Sequence, residues 1–340
     1  MFTTKEYVFV NKFDNIKNMI GNTPMLEIIL KYKGIERRVF AKAEYYNLSG
    51  SIKDRISYFI MKKAYETGKI QPGDIVCEAT SGNTGIAFSA MASYLGHKAV
   101  IFMPDWMSAE RINLMKSFGA EVRLVSHEEG GFLGSIAMSE ELAKQGGVFL
   151  PKQFSNPDNV TAHINSTGKE ALEQLERIGR VPDGVVAGVG TGGTIMGLGR
   201  AFKAVNPNCK VCPLEPLQSP TLSTGYKTGS HRIAGISDEF IPSICHLDEL
   251  DEVVSVDDLD SVIMAQRLSR ELGIGVGISS GANLIGSVML LDKLGADSTI
   301  VTVFADDNKK YLSTDYSKDW EPKEEYISSQ IELIGVIAHE

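Results

Sequence analysis

The chain has 340 residues, 43% of them hydrophobic and 33 of them glycine, enough apolar material for a large core arranged as two lobes. Its 34 basic and 43 acidic residues give a net charge of -9 without a long run of one sign, which argues against nucleic acid and anionic membranes as partners and for a small-molecule ligand. No apolar run approaches the roughly 20 residues of a membrane span, and "MFTTKEYVFVNKF" has no signal-peptide core, so the chain is expected in the cytoplasm.

From about residue 38, short Val/Ile-rich strands alternate with amphipathic helices. The first predicted strand, "RRVFAKAE", leads to "NLSGSIKDR" at residues 47 to 55, with a helical pattern directly behind it. Ser51 is the expected N-cap and Lys53 a residue of the first turn. A cation at the positive end of a helix dipole is badly placed for mere solvation. The same position lowers a lysine's proton affinity and favours the free amine that condenses with an aldehyde. Asp54 suits the dipole, and Arg55 is free to pair with a carboxylate elsewhere.

The next strand, "DIVCEA", runs into "EATSGNTGIAFSA", residues 78 to 90, which opens a helix. Thr80, Ser81, Asn83 and Thr84 would there present hydroxyls, an amide and backbone N–H groups to a carboxylate. A capping turn with glycines for a tight bend is the competing reading. "KAVIFM", the helix "SAERINLMKSFGA" and "EVRLVS" follow, and a boundary between lobes is expected near "PKQFSNPDN", residues 151 to 159. One continuous helix is predicted over "NVTAHINSTGKEALEQLERIG".

After the strand "DGVVAGV" comes "GVGTGGTIMG", residues 188 to 197, whose glycines let backbone approach a phosphate while Thr191 and Thr194 add hydroxyls. Gly188, Gly190 and Gly193 also satisfy G-x-G-x-x-G, and Glu215 follows Gly193 by 22 residues at the end of the next strand, so a dinucleotide-dependent oxidoreductase is a competing function. That enzyme has no use for a lysine opposite a carboxylate nest; an enzyme of pyridoxal phosphate needs an imine lysine, a phosphate cradle and a carboxylate site. Cys77, Cys209, Cys212 and Cys245 are too few and too scattered for a disulfide framework, and the C-x-x-C in "CKVCPLEP" lies on a predicted strand, so it reads as ordinary partly buried thiols. The last predicted strand is "TIVTVFA". Residues 318 to 340 are expected to form an appendage with no readable role.

The ordered motifs from "IGNTPML" to "DDNKKYLST" resemble those of the cysteine synthase and cystathionine β-synthase family, the fold type II pyridoxal phosphate enzymes. The resemblance implies an α/β fold, two-lobed and tryptophan synthase β-like, with mostly parallel sheets flanked by helices. It also implies pyridoxal 5'-phosphate as cofactor, amino-acid substrates and a homodimer. The expected lobes are residues 1–157, whose first 45 or so pack on the second lobe, and 158–317. By this resemblance Lys53 carries the imine and Asn83 meets the cofactor's phenolic oxygen. Gly190, Thr191, Gly192, Gly193 and Thr194 hold its phosphate, and Ser279 of "GISSGAN" stands beside the pyridine nitrogen. Ser279 read in isolation is a helix N-cap. Thr80, Ser81, Thr84 and Gln153 of "KQFSNP" bind the substrate carboxylate.

Two positions depart from the family pattern. Leu48 stands where proline is usual, which loosens the backbone and leaves the chemical groups intact. In "HRIAGISDEFIP", Ser237, Asp238 and Glu239 replace the Gly-Ala-Gly-like stretch of enzymes that use O-acetylserine. An acid there suits an enzyme that must deprotonate an incoming thiol or water, so Asp238 and Glu239 are candidate catalytic groups. The implied chemistry is β-elimination and β-replacement on cysteine or serine, with hydrogen sulfide released from cysteine. If one or both acids simply face solvent, O-acetylserine sulfhydrylase is the alternative.

Overall fold

The computed structural model describes residues 12–340. The expectation drawn from the first residues, that no signal-peptide core is present, lies largely outside them.

Two sheets form. The smaller has the order β5-β4-β3-β6, all parallel, from β3 (Ile75–Ala79), β4 (Lys98–Pro104), β5 (Glu121–Val125) and β6 (Val148–Phe149). The larger has seven strands in the order β11-β1-β2-β10-β7-β8-β9. Its members are β1 (Met25–Tyr32), β2 (Ile35–Ala43), β7 (Gly184–Gly188), β8 (Lys210–Pro216), β9 (Val254–Val256), β10 (Ile300–Phe304) and β11 (Ile331–His339). From β2 to β9 all pairs are parallel, while β1 is antiparallel to both of its neighbours.

The hairpin β1–β2 was not foreseen from the sequence, yet its signal is there. Lys33 and Gly34 both have positive φ (52° and 77°), the geometry of a two-residue turn matching strand twist, and Tyr32 pairs with Ile35 across it. The terminal segment of unreadable role also resolves into an element, because β11 lies antiparallel to β1 and extends the larger sheet.

Helices cover both sheets. Those that position the site are α1 (Lys53–Glu66), α2 (Asn83–Leu95), α3 (Ala109–Ser117), α4 (Gly131–Ala143), α5 (Asp158–His163), α6 (Lys169–Arg177), α7 (Gly193–Val205), α8 (Asp258–Leu272) and α9 (Ile278–Leu294). The continuous helix predicted over 159–179 is interrupted, since Ile164–Gly168 form a π-helical turn between α5 and α6. Close packing explains the register change: a Cβ on Gly168 would lie 2.7 Å from Ala201 of α7, and one on Gly197 would lie 2.4 Å from His163. The β-strands buried on both faces read as continuous apolar runs, as in β10 (IVTVF). Among the described residues no helix is long and apolar enough to cross a membrane.

Candidate active site

The loops at the carboxyl ends of β2, β3, β7 and β10 converge on one cavity, the place where parallel sheets put their ligands. Lys53, Thr80, Ser81, Asn83, Thr84, Gln153, Gly190, Thr191, Gly192, Thr194, Asp238 and Ser279 all line it. Gly193 sits behind the glycine loop, and Glu239 stands on a neighbouring wall, paired with Lys227 at 3.6 Å.

Lys53 opens α1, but the N-cap is Ile52 and not Ser51. The chain turns one residue later than the hydroxyl suggested, because Ile52 N–H donates to Ala305 of the β10 loop at 2.9 Å. Ser51 Oγ still accepts the Lys53 N–H at 3.2 Å, and the Asp54 carboxylate accepts from Ser49 N and Oγ at 2.8 and 2.7 Å. Burial lowers the proton affinity of Lys53, against the opposing pull of Asp306 and Asp238. Arg55 finds its carboxylates in Glu44 (Nε to Oε2, 2.6 Å) and Glu170 (Nη1 to Oε1, 2.7 Å), which tie the first turn of α1 to β2 and α6.

At the β3 loop, Thr84 Oγ1 donates to Gln153 Oε1 at 2.6 Å while Gln153 Nε2 donates to the Ala79 carbonyl at 2.9 Å. The two segments named as carboxylate binders are thus locked together. Asn83 donates through Nδ2 to Asp306 at 2.8 Å, and Tyr311 donates to the same oxygen at 2.5 Å.

At the β7 loop, Gly192 has φ +85° and caps α7, a conformation that favours glycine. A Cβ on Gly190 would lie 2.3 Å from the Gly235 carbonyl, and one on Gly193 would lie 1.9 Å from Asn159 Oδ1. The loop is therefore pressed against its neighbours on one side and offers bare N–H groups on the other. Thr191 Oγ1 accepts from Asn159 Nδ2 at 2.9 Å, and Thr194 Oγ1 lies 3.4 Å from His163 Nε2. Burial first, then Lys53 and Arg55, push His163 down to about 3, so its ring is neutral.

Asp238 owes its place to Ser237, which takes a positive φ of 53°, donates its N–H to Val189 and its hydroxyl to Ser219. The kink turns Asp238 into the cavity. Burial raises its carboxyl to about 6, against Lys227 and Lys53, which pull it down. Ser279 is the second residue of α9, whose N-cap is Gly277, so the N-cap reading of that serine does not hold.

Residues not foreseen also shape the wall. Arg111, Asn283 and Tyr311 line the cavity, and Asn159, His163 and Asp306 support it from behind. They come from segments far apart in the chain, most of them polar, and carry no shared pattern until the chain folds. Glu215, the ribose-binding candidate, is buried and accepts from Leu222 N, Ser223 N and Oγ, and Ser255 Oγ, so it caps a short turn and cannot reach a nucleotide. The four cysteines are free and buried, and burial raises Cys209 to about 12 and Cys212 to about 11, which makes the C-x-x-C inert.

The donor set fits a phosphorylated aldehyde. It combines an amine whose proton affinity burial lowers, a glycine turn opening a helix, and the Thr191 and Thr194 hydroxyls beside that turn. Comparison with known proteins agrees. Residues 16–306 match the family model described as pyridoxal-phosphate dependent enzyme. A cysteine synthase of Staphylococcus aureus is 41% identical over 301 residues, covering 88% of this chain and 96% of that protein. The crystal structure of a hydrogen sulfide-producing enzyme from Fusobacterium nucleatum is 57% identical, covers 96% of this chain and 99% of its own, and superposes with a TM-score of 0.93. A cysteine synthase from Entamoeba histolytica has a TM-score of 0.83 at 36% identity, over 93% of this chain and 94% of its own.

Proposed function

The chain belongs to the pyridoxal-phosphate dependent enzymes, and within that family we propose that it performs β-elimination and β-replacement on cysteine or serine, releasing hydrogen sulfide when cysteine is the donor. When bound, pyridoxal phosphate supplies the electron sink that weakens the Cα–H bond and lets the β-substituent leave.

The protein's own residues do the rest. Thr80, Ser81, Thr84 and Gln153 take the substrate carboxylate, orienting Cα toward Lys53. The Lys53 amine, kept short of protons by burial, accepts the Cα proton and later returns it. Asn83 and Ser279 would offer an amide and a hydroxyl to the cofactor ring, and the loop from Gly190 to Thr194 would hold its phosphate. A neutral hydroxyl such as that of Ser279 would leave a ring nitrogen beside it unprotonated and so favour loss of the β-group over racemisation. Asp238 accepts the proton of the incoming thiol or water. Residues 46–157, built on the smaller sheet, act as the lobe that closes over the substrate and excludes water. A cytoplasmic homodimer completes the reading; Ile334, Val336 and Ile337 on the edge strand β11 are exposed apolar residues suited to a second copy.

The observation that carries the proposal is Asp238 lining the same cavity as Lys53, half-buried, with its carboxyl raised to about 6 by desolvation. Product analysis with cysteine, serine and O-acetylserine supplied separately, with and without sulfide, tests it. Sulfide release from cysteine alone is the expected result. Turnover confined to O-acetylserine plus sulfide would make the enzyme a cysteine synthase, a reading that the Staphylococcus aureus relative favours.

A further inference from the structure

Asp306 stands just beyond β10, fully buried, behind the cavity wall to which its neighbour Ala305 belongs. Its backbone forms an antiparallel bridge with Ser51, and Ile52 N–H donates to the Ala305 carbonyl at 2.9 Å, so this segment and the first turn of α1 are locked together. On the other side, Gly277 N–H donates to the Asp306 carbonyl at 3.0 Å. A Cβ on Gly277 would lie 2.1 Å from Asp306 Oδ1, although the φ of Gly277, -71°, is one that any residue adopts. Glycine is required there by the carboxylate and not by the backbone.

The carboxylate in turn orients a cavity residue. Asn83 Nδ2 and the Tyr311 hydroxyl both donate to Oδ2, at 2.8 and 2.5 Å. An amide that turned its oxygen this way would oppose a carboxylate oxygen, so Nδ2 is fixed on this side and its second N–H is left for the cavity that Asn83 lines. Burial and Asp306 keep the Tyr311 hydroxyl protonated, hence a donor, and the Arg111 guanidinium lies 4.8 Å over its ring. Both donors are neutral. They hold the carboxylate without cancelling its charge.

That charge bears on Lys53. Burial weakens the hold of the lysine nitrogen on a proton, while Asp306 and, after it, Asp238 strengthen it. The other groups nearby add less negative charge: Lys227 pulls on Asp238, the His163 ring is neutral, and Asp307, next in the chain, pairs with Lys309 at 3.5 Å. A lysine that takes the Cα proton and then returns it needs a base strength set between these opposing effects.

We propose that Asp306 is a positioning residue of the active site: its carboxylate fixes the Asn83 amide toward the cofactor's phenolic oxygen and sets, by its charge, how firmly the Lys53 nitrogen holds a proton. This rests on Lys53 being the imine lysine. Asp306 acts through these two residues and not on the substrate.

The test is a pH titration of the yellow imine band of the holoenzyme, without substrate. Asp306→Asn keeps an acceptor oxygen for both donors, since both converge on Oδ2, and removes the charge. A negative charge favours the protonated Lys53 nitrogen. Its removal should lower the pH at which half the yellow form is lost by at least about one unit, the low end of the effect of a nearby opposite charge. Gly277→Ala, which presses a methyl on Oδ1 and leaves the charge in place, should move that pH the same way by less. It should also raise the pyridoxal phosphate needed for half-saturation, because Asn83 loses its anchor. Circular dichroism checks that each variant is folded. A folded Asp306→Asn that loses its yellow form at the parental pH overturns the role of Asp306, as does an unshifted Gly277→Ala where Asp306→Asn does not fold. Absence of the yellow band from the parent, or its survival in Lys53→Ala, would instead overturn the assignment of Lys53 beneath it.

Discussion

Asp238 and Glu239 are neighbours in the sequence with the same charge, and the fold gives them different surroundings. Ser237 kinks the backbone with its positive φ of 53°, sending Asp238 into the cavity and Glu239 to Lys227. Asp238→Asn is therefore expected to slow thiol or water addition by about 10²–10⁴, the usual worth of a positioned base, while proton exchange at Cα, which needs only Lys53, falls far less. Glu239→Gln should stay within about twofold on both, since an exposed ion pair is worth little. The base works only when ionised, so addition should rise with pH through about 6 in the parent and lose that limb in Asp238→Asn. Rapid-mixing absorbance for the first step and product mass for the second separate the two; equal loss of both steps in Asp238→Asn would remove it from the role assigned. Lys53→Ala should abolish the yellow imine band and the borohydride mass label, and persistence of either would place the imine elsewhere.

The first turn of α1 is held from outside the helix. Lys42, Glu44, Arg55 and Glu170 form a largely buried ion cluster joining β2, α1 and α6, with Lys42 Nζ 3.1 Å from Glu170 and Thr23 Oγ1 donating to Glu44 at 2.7 Å. Burial alone would raise Glu44, but Arg55, Lys42 and Thr23 outweigh it and hold the carboxyl down at about 2. A depressed carboxyl contributes stability that is present above its unfolded value near 4.5 and is lost as pH falls toward 2. Glu44→Gln should cost about 3–5 kcal/mol at neutral pH, because it leaves a guanidinium buried and underpaired, and should flatten the acid limb of a stability profile in that window. Denaturant melts across pH check this, and a profile parallel to the parent's would show that the cluster is not what holds the helix. In the β7 loop, Gly190→Ala would press a methyl on the Gly235 carbonyl, 2.3 Å away, and cost about 1–3 kcal/mol of strain. Half-saturation should then need at least about tenfold more pyridoxal phosphate, read by titrating the apoenzyme.

Across the whole molecule, the larger sheet is assembled from distant pieces: β1 and β2 from the beginning, β7 to β10 from the second half, and β11 from the end. Its outer strand carries Ile334, Val336 and Ile337 at 44%, 37% and 44% exposure. If the proposed homodimer forms through this strand, Val336→Lys with Ile337→Lys should shift the protein toward monomer in light scattering, with the α/β spectrum retained; an unchanged mass would remove β11 as a dimer contact. Alternation of Val/Ile-rich runs with glycine-capped helices was enough to give two largely parallel sheets, since burial on both faces demands that composition locally. The motifs "NLSGSIKDR", "EATSGNTG" and "GVGTGG" likewise name the groups on the cavity wall, because each is a strand-to-helix turn whose glycines and hydroxyls are dictated within a few residues. What no window of sequence contains is the environment that other segments supply. The π-helical turn at 164–168 follows from contact with α7; β11 becomes a strand by pairing with β1; and Glu215 caps a turn despite standing at ribose-binding spacing. Local chain chemistry determined the elements and the loops. Burial, the partners of buried charges such as Arg55, and the separation of Asp238 from Glu239 were decided only by the tertiary structure, because desolvation and charge pairing depend on atoms far away in the chain.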